Sequence, residues 1–365
     1  MKIICTQENL KGGLATVGRI ISPSNTLPIL NNILIKTENG ILKISSTNLE
    51  VAITTQVRCK VEEEGEVTVL SKTIIDLVNN LPNKNITLES QGSKLNIDTE
   101  NYHTSVNTLP AEEFPLIPEV VSTEIIDLDG QILKNAIDQV VFAVSSNQTQ
   151  PEISGVYLHV ENTELKLVAT DRYRLAERVI NLEAPSLPQQ VIIPHKTIIE
   201  LSRIIGNSEG KVGIIISDSQ ISLSVNQTQI ISRLIDGQYP DYQQIIPQNF
   251  TTIIHTPKQA FVNGLRAGAI FSQNTNSVNF EYSAEKQSLT ITAESPELGK
   301  SVVELPSQVE GGNGSLILNH HYILDCLGSI EAQNVIVKIT NDSSPSLILP
   351  EGKNDYIYLV MPIKS

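Results

Sequence analysis

Ser71-Lys72-Thr73-Ile74-Ile75-Asp76-Leu77 returns almost unchanged as His195-Lys196-Thr197-Ile198-Ile199-Glu200-Leu201, and a blurred third copy reads His321-Tyr322-Ile323-Leu324-Asp325-Cys326-Leu327. Lys72 to Lys196 is 124 positions and Lys196 to His321 is 125, so a unit of about a third of the chain occurs three times. In each copy apolar residues fall at helical spacing: Ile74, Leu77 and Leu81; Ile198, Leu201 and Ile205; Ile323, Cys326 and Ile330. A turn follows each predicted helix (Pro82 to Asn85, Gly206 to Ser208, Glu331 to Asn334), and then an alternating strand (86–88, 212–216, 335–339).

Each third also opens with an earlier helix. Its apolar face is Leu10, Leu14, Val17 and Ile21 in the first and Leu133, Ile137, Val140 and Val144 in the second. In the third it is Phe261, Leu265 and Ala269. The first of these helices stops at Ser22-Pro23-Ser24-Asn25. Strand-like runs lie between the helices of each third, with turns at Asn39-Gly40, Asn162-Thr163 and Glu285-Lys286. Gly65 and its flanking acids Glu62, Glu63, Glu64 and Glu66 read as a solvated hairpin. The expected fold is α+β: three repeated domains, each with two helices packed on antiparallel sheets. Pro-rich junctions, Leu109 to Pro118 and Tyr239 to Pro247, place the domains at 1–119, 120–248 and 249–365.

Cys5, Cys59 and Cys326 are too few and too scattered for a disulfide framework or a thiolate metal site, which points to reduced cytoplasm. No run of about 18 apolar residues occurs, so neither a membrane span nor a membrane partner is expected. The formal charge of −14 and pI of about 4.9 argue in bulk against a polyanionic partner. Only charges within about 8–10 Å of a phosphate act strongly on it, however, so an acidic chain can present one basic face.

No catalytic constellation emerges, and no cofactor is expected. Gly12-Gly13 and Gly311-Gly312-Asn313-Gly314 lack the Lys-Ser/Thr of a phosphate loop, and no Gly-x-Ser-x-Gly elbow is present. His320 and His321 are adjacent, which on a helix turns them about 100 degrees apart and makes a poor metal chelate. Three stretches stand out instead. Leu167 to Ala176 ends a strand in a cluster of Arg172, Tyr173 and Arg174, residue types enriched at interface hot spots. Tyr358 to Lys364 is apolar almost to the end of the sequence, where polar residues are usual. Tyr239 to Pro247 is an apolar linker. Taken singly, each has a plain structural account: a hairpin with solvated arginines, a last strand, a stiff connector.

Taken together, Thr26 to Leu30, Thr47-Asn48-Leu49-Glu50, Asn107 to Pro115, Ala169 to Leu175, Asp236 to Tyr242 and the closing Val360-Met361-Pro362 resemble the bacterial sliding clamp family, the beta subunit of the replicative DNA polymerase. The resemblance runs the length of the sequence, in order. It implies two chains joined head to tail into a six-domain ring around duplex DNA, gripped without base readout. By resemblance the contact between chains uses Thr104, Val106, Ile270 and Phe271, with Thr104 standing where some relatives carry an aromatic. The lumen would present Lys11, Arg19, Lys72, Lys196, Arg203 and Arg266, would be less positive at His321, and would lack an arginine that some relatives carry at Ser24.

The resemblance further implies a pocket for short peptides of polymerases, the clamp loader and repair proteins. Its wall would be Ile153, Thr170, Arg172, Tyr173, Arg174, Leu175, Pro240, Gln244, Ile245, Ser346, Leu359, Val360, Met361 and Pro362, a set that gathers all three unusual stretches. Arg172 stands where others have Gly and Gln244 where some have Arg; a flexible Met beside branched residues suits a site that accepts several peptides. The expected function is a non-enzymatic processivity clamp. The alternative is a peptide-binding repeat scaffold that never encircles DNA.

Overall fold

The computed structural model describes residues 1–21, 26–121, 124–147, 149–206, 210–272 and 275–364. Ser22 to Asn25, and with them the expected stop of the first helix and Ser24, lie outside the described residues, as do Asn207 and Ser208. The described residues form six α-helices: α1 (Gln7–Val17), α2 (Ser71–Asn80), α3 (Gly130–Val140), α4 (His195–Ile205), α5 (Lys258–Ala269) and α6 (His320–Ser329). The three copies of the opening stretch are α2, α4 and α6. Short polar side chains start several of them: Thr6 accepts from the Asn9 N–H, Asp129 from Gln131 and Ile132, and Asn319 from His321.

The buried stripes follow the expected spacing, with one shift. Ile198, Leu201 and Ile205 are buried in α4, and Ile323, Cys326 and Ile330 along α6. In α2 the fully buried pair is Ile74 and Val78, while Leu77 is only half-buried. A step of four residues turns a helix about 40 degrees past a full turn and a step of three about 60 degrees short, so Val78 lies nearer the line of Ile74. Ile20, in the turn Gly18–Ile20, likewise replaces Ile21 as the buried residue after α1. In α5 the tightly packed surface continues through Gly264 and Gly268, where an added Cβ would meet Ile291, Val303 or Val278 at 3.0–3.4 Å.

The strands group into two compact units. One comprises Met1–Lys134 with Lys196–Leu234, the other Asn135–His195 with Ile235–Ser365, so the middle third of the sequence is shared between them. The first unit holds a thirteen-stranded antiparallel sheet, within which Thr228–Arg233 pairs with Val51–Val57 (Ile230 opposite Ile53). Here α1 and α2 pack side by side, the buried Gln7 amide donating to the Val78 carbonyl.

The second unit holds a seven-stranded sheet in which Arg174–Pro194 pairs with Tyr356–Val360, and a four-stranded sheet of Gly299–Pro306, Ser288–Ser295, Ser277–Ser283 and Gly314–Asn319. Its helix pair is α5 and α6, tied by the Lys258 ammonium donating to the Ile330 carbonyl at 2.5 Å. Ladder register explains the middle third: its strands continue sheets begun by the first and last thirds.

Candidate functional site

Within the second unit, the hairpin cluster and the C-terminal run become one structure. Arg174 pairs with Val360 and Leu175 with Leu359, and the Met361 N–H donates to the Tyr173 carbonyl at 2.8 Å. Ser346 joins from the far side, opposite Val360. The chain then leaves the ladder at Pro362, which has no N–H to offer, and returns through the Ile363 N–H to the Ile317 carbonyl.

The turn Thr170–Arg174 is held by its own side chains. The Thr170 hydroxyl donates to the Arg174 carbonyl at 2.7 Å and accepts from the Arg172 N–H. The Asp171 carboxylate accepts from the Tyr173 and Arg174 N–H groups at 3.0 Å each. Arg172 is thereby left at φ +79°, a conformation that costs a side-chain-bearing residue and not a glycine. The turn aims Tyr173 outward, 63% exposed.

Arg174 faces the opposite way. Its guanidinium donates to Asp171 (2.9 Å), Asp325 (2.6 Å) and the Phe142 carbonyl (2.7 Å) and lies 4.5 Å from the centre of the Tyr322 ring. It is a pin between the turn, α6 and residue 142, with each of its three nitrogens committed to one of these acceptors. Tyr322 is fixed further by accepting at its carbonyl from the Tyr358 hydroxyl.

These elements enclose a cleft of about 500 Å³ lined by Arg172, Tyr173, Asn319, Tyr322, Met361, Pro362, Ile363 and Lys364. Four of the expected wall residues therefore line it directly: Arg172, Tyr173, Met361 and Pro362. Ile153, Leu175 and Leu359 lie beneath, in a buried cluster with Val168, Tyr239 and Tyr242. Thr170, Ser346 and Val360 are also buried. The linker supplies part of that floor: Tyr239 stacks on Tyr157 at 4.6 Å, and the Tyr242 hydroxyl donates to the buried Glu177. Burial, reinforced by Glu177, pushes the Tyr242 phenol well above its usual range, so it stays a donor. Pro240, Gln244 and Ile245 are exposed on the same linker, Gln244 bonded to Asp241.

Asn319, Tyr322, Ile363 and Lys364 line the cleft without being among the expected wall residues. The signal for Ile363 and Lys364 was the apolar C-terminal run itself; nothing local marks Asn319, which ends the strand Gly314–Asn319 and caps α6, or Tyr322 in the first turn of α6.

The residues expected to face DNA, Lys11, Arg19, Lys72, Lys196, Arg203 and Arg266, are all exposed. Arg203 is paired with Glu200 at 2.6 Å, and Arg19 and Arg203 line an open groove of about 860 Å³ in the first unit together with Arg58 and Glu8. Of the residues expected between chains, Val106 is buried, Thr104 and Phe271 are half-buried and Ile270 is 55% exposed. Among the described residues no cluster of metal-ligating side chains occurs and no helix is long and apolar enough to cross a membrane.

Comparison with known proteins matches three family descriptions in order: DNA polymerase III beta subunit N-terminal domain over residues 1–118, central domain over 127–241 and C-terminal domain over 243–364. The beta sliding clamp of Staphylococcus epidermidis is 28% identical over 357 residues, 95% of either chain. Among solved structures, the DNA polymerase sliding clamp of Bacillus subtilis superposes with a TM-score of 0.96 at 28% identity, over 100% of this chain and 99% of that one. The sliding clamp of Pseudomonas aeruginosa bound to griselimycin does so with 0.95 at 29%, each chain covered in full. With three consecutive domain descriptions spanning the sequence nearly end to end, the chain belongs to the DNA polymerase III beta-subunit family, the bacterial sliding clamps.

Proposed function

We propose that this chain is a DNA sliding clamp: two copies close head to tail around duplex DNA, and the cleft at Tyr173 and Met361 holds short peptides of the replicative polymerase, the clamp loader and repair proteins. The role is non-catalytic and cytoplasmic, with 1–119, 120–248 and 249–365 as its domains. The observation that carries the peptide site is the convergence of Arg172, Tyr173, Met361 and Pro362, from two distant parts of the sequence, on one apolar cleft. Tyr173 and Met361 give it an exposed aromatic and an adaptable thioether, which suit an apolar peptide side chain.

Two open strand edges support the ring. Along Tyr102 to Asn107 the strand Tyr102–Leu109 pairs only with Lys94–Thr99, and Gly299–Pro306 pairs only with Ser288–Ser295, among the described residues. Edges of this length are normally covered, and a head-to-tail contact between Thr104 and Val106 of one copy and the Ile270, Phe271 and Val302 side of another would cover both. The exposed basic residues on α1, α2, α4 and α5 would meet phosphates.

The test of the pocket is binding of a labelled C-terminal polymerase peptide to Tyr173→Ala/Met361→Ala. The double variant keeps its thermal transition and loses binding; unchanged affinity removes the assignment. For the ring, the purified protein should be dimeric at micromolar concentration and remain on nicked circular DNA after loading. A monomer that slips off would leave only a peptide-binding scaffold.

A further inference from the structure

The cleft-forming turn has a second copy in the first unit. In Thr47–Val51 the Thr47 hydroxyl donates to the Val51 carbonyl at 3.1 Å and accepts from the Leu49 N–H at 3.0 Å. The Asn48 side-chain oxygen accepts from the Glu50 and Val51 N–H groups at 3.0 and 2.8 Å. Leu49 sits at φ +75°, where Arg172 has +79°. The neighbouring strand docks identically: the Arg233 N–H donates to the Glu50 carbonyl at 2.9 Å, as the Met361 N–H does to Tyr173. An aromatic-Pro step with a buried ring borders each turn, Phe114-Pro115 here and Tyr239-Pro240 there.

This second turn also borders a cleft, of about 230 Å³, with Leu49, Pro115, Leu116, Ile117 and Ile231 on its walls and Arg233 and Glu50 at its rim. Leu116 is 97% and Leu49 46% exposed, so two large apolar side chains stand in solvent at one place. Arg233 is exposed and makes no side-chain ion pair among the described residues, with Glu50 included. An apolar cleft with one uncommitted cation at its lip complements a ligand that is apolar at one end and anionic at the other.

We propose that this cleft is a second docking site for a short extended peptide, which lays one apolar side chain against Leu49 and Leu116 and a neighbouring carboxylate on Arg233. The inference rests on reading the Tyr173–Met361 cleft as a peptide site, since the shared turn is what relates them. The smaller volume admits one side chain, and Arg233 in place of Met361 exchanges adaptability for charge selection. The clamp would then hold two peptide segments of different chemistry on each chain.

Methyl-labelled full-length protein titrated with acetyl-Glu-Leu-Phe-amide tests this, with acetyl-Gln-Leu-Phe-amide as the uncharged control. Shifts are expected at the Leu49 and Leu116 methyls, persisting in Tyr173→Ala/Met361→Ala and weakened at least about fivefold by Arg233→Glu or by the uncharged peptide. Arg233→Glu alters an exposed side chain, so folding is preserved. Shifts confined to Leu359 and its neighbours overturn the second site and leave the first standing. Shifts at Leu49 that ignore Arg233→Glu overturn the carboxylate pairing. No shift at either cleft overturns both.

Discussion

Thr170–Arg174 and Thr47–Val51 share a Thr, an Asx residue, a left-handed third position and the same backbone hydrogen bonds, yet their fifth residues do opposite things. Arg174 reaches across to Asp325 and the Phe142 carbonyl and locks its turn to α6; Val51 simply buries itself. The outward residues differ as well: Tyr173 and Met361 frame one cleft, Glu50 and Arg233 the other. A local polar network thus sets the shape of the turn, and the side chains it leaves free set what the surface attracts. Repetition of the first without the second lets one backbone device serve two surfaces.

The largest separation between the copies is expected at that fifth position. Arg174→Ala leaves Asp171 half-covered beside a lost partner and removes two further bonds, which should lower the stability of its unit by ~3 kcal/mol. Val51→Ala removes two methyl groups' worth of burial and should cost ~1–2 kcal/mol. Urea denaturation of both variants checks this; equal losses would mean that the arginine network is solvent-screened and the turns are energetically alike.

Acid should separate the clefts next. His320 at the start of α6 is buried, its ring nitrogens have no hydrogen-bond partner among the described residues, and burial, with His321 beside it, holds its pKa below the usual value. The folded state therefore binds this proton less readily than the unfolded chain. The stability it contributes is present above the unfolded value of about 6.5 and is lost as pH falls through 6.5 toward the folded value, by up to ~1.4 kcal/mol per pH unit. His195 shifts in the same direction through burial, so His320→Asn isolates the contribution by flattening only part of the slope of Tm between pH 8 and 5. Neither cleft has a histidine on its walls; His320 bears on the first through α6, which supplies Tyr322, whereas α6 supplies nothing to the second, whose peptide affinity should hold over the same range.

Much of this was readable from the residues. The threefold stretch gave α2, α4 and α6, because a stripe such as Ile198, Leu201 and Ile205 must be buried somewhere. The apolar Tyr358 to Lys364 and the Arg/Tyr cluster were visible as anomalies. What could not be read was long-range register. Nothing near Val51 announces Thr228–Arg233 as its neighbour, and nothing near Arg174 announces Phe142 or Asp325. The kinship of the two turns was hidden for a different reason: Thr47-Asn48-Leu49-Glu50-Val51 and Thr170-Asp171-Arg172-Tyr173-Arg174 agree in one residue, while their likeness lies in hydrogen bonds between the first two side chains and the main chain.

The left-handed third position gives the smallest effect and the most direct test of that kinship. Holding a side chain at φ +75° or +79° costs ~1–2 kcal/mol relative to the right-handed region, and glycine avoids the cost. Against this, a new glycine widens the unfolded ensemble by ~0.4–1 kcal/mol. Arg172→Gly and Leu49→Gly should therefore each be neutral or stabilising by up to ~1 kcal/mol, within error of each other. Arg172 forfeits only a long, exposed bond to Gln150 at 3.4 Å, and Leu49 is nearly half exposed, so neither loses much packing. Thermal melts of the two variants measure the balance. If Leu49→Gly were destabilising while Arg172→Gly was not, Leu49 would be a packing residue of its turn, and the second cleft would lose one of the apolar side chains on which its peptide is proposed to rest.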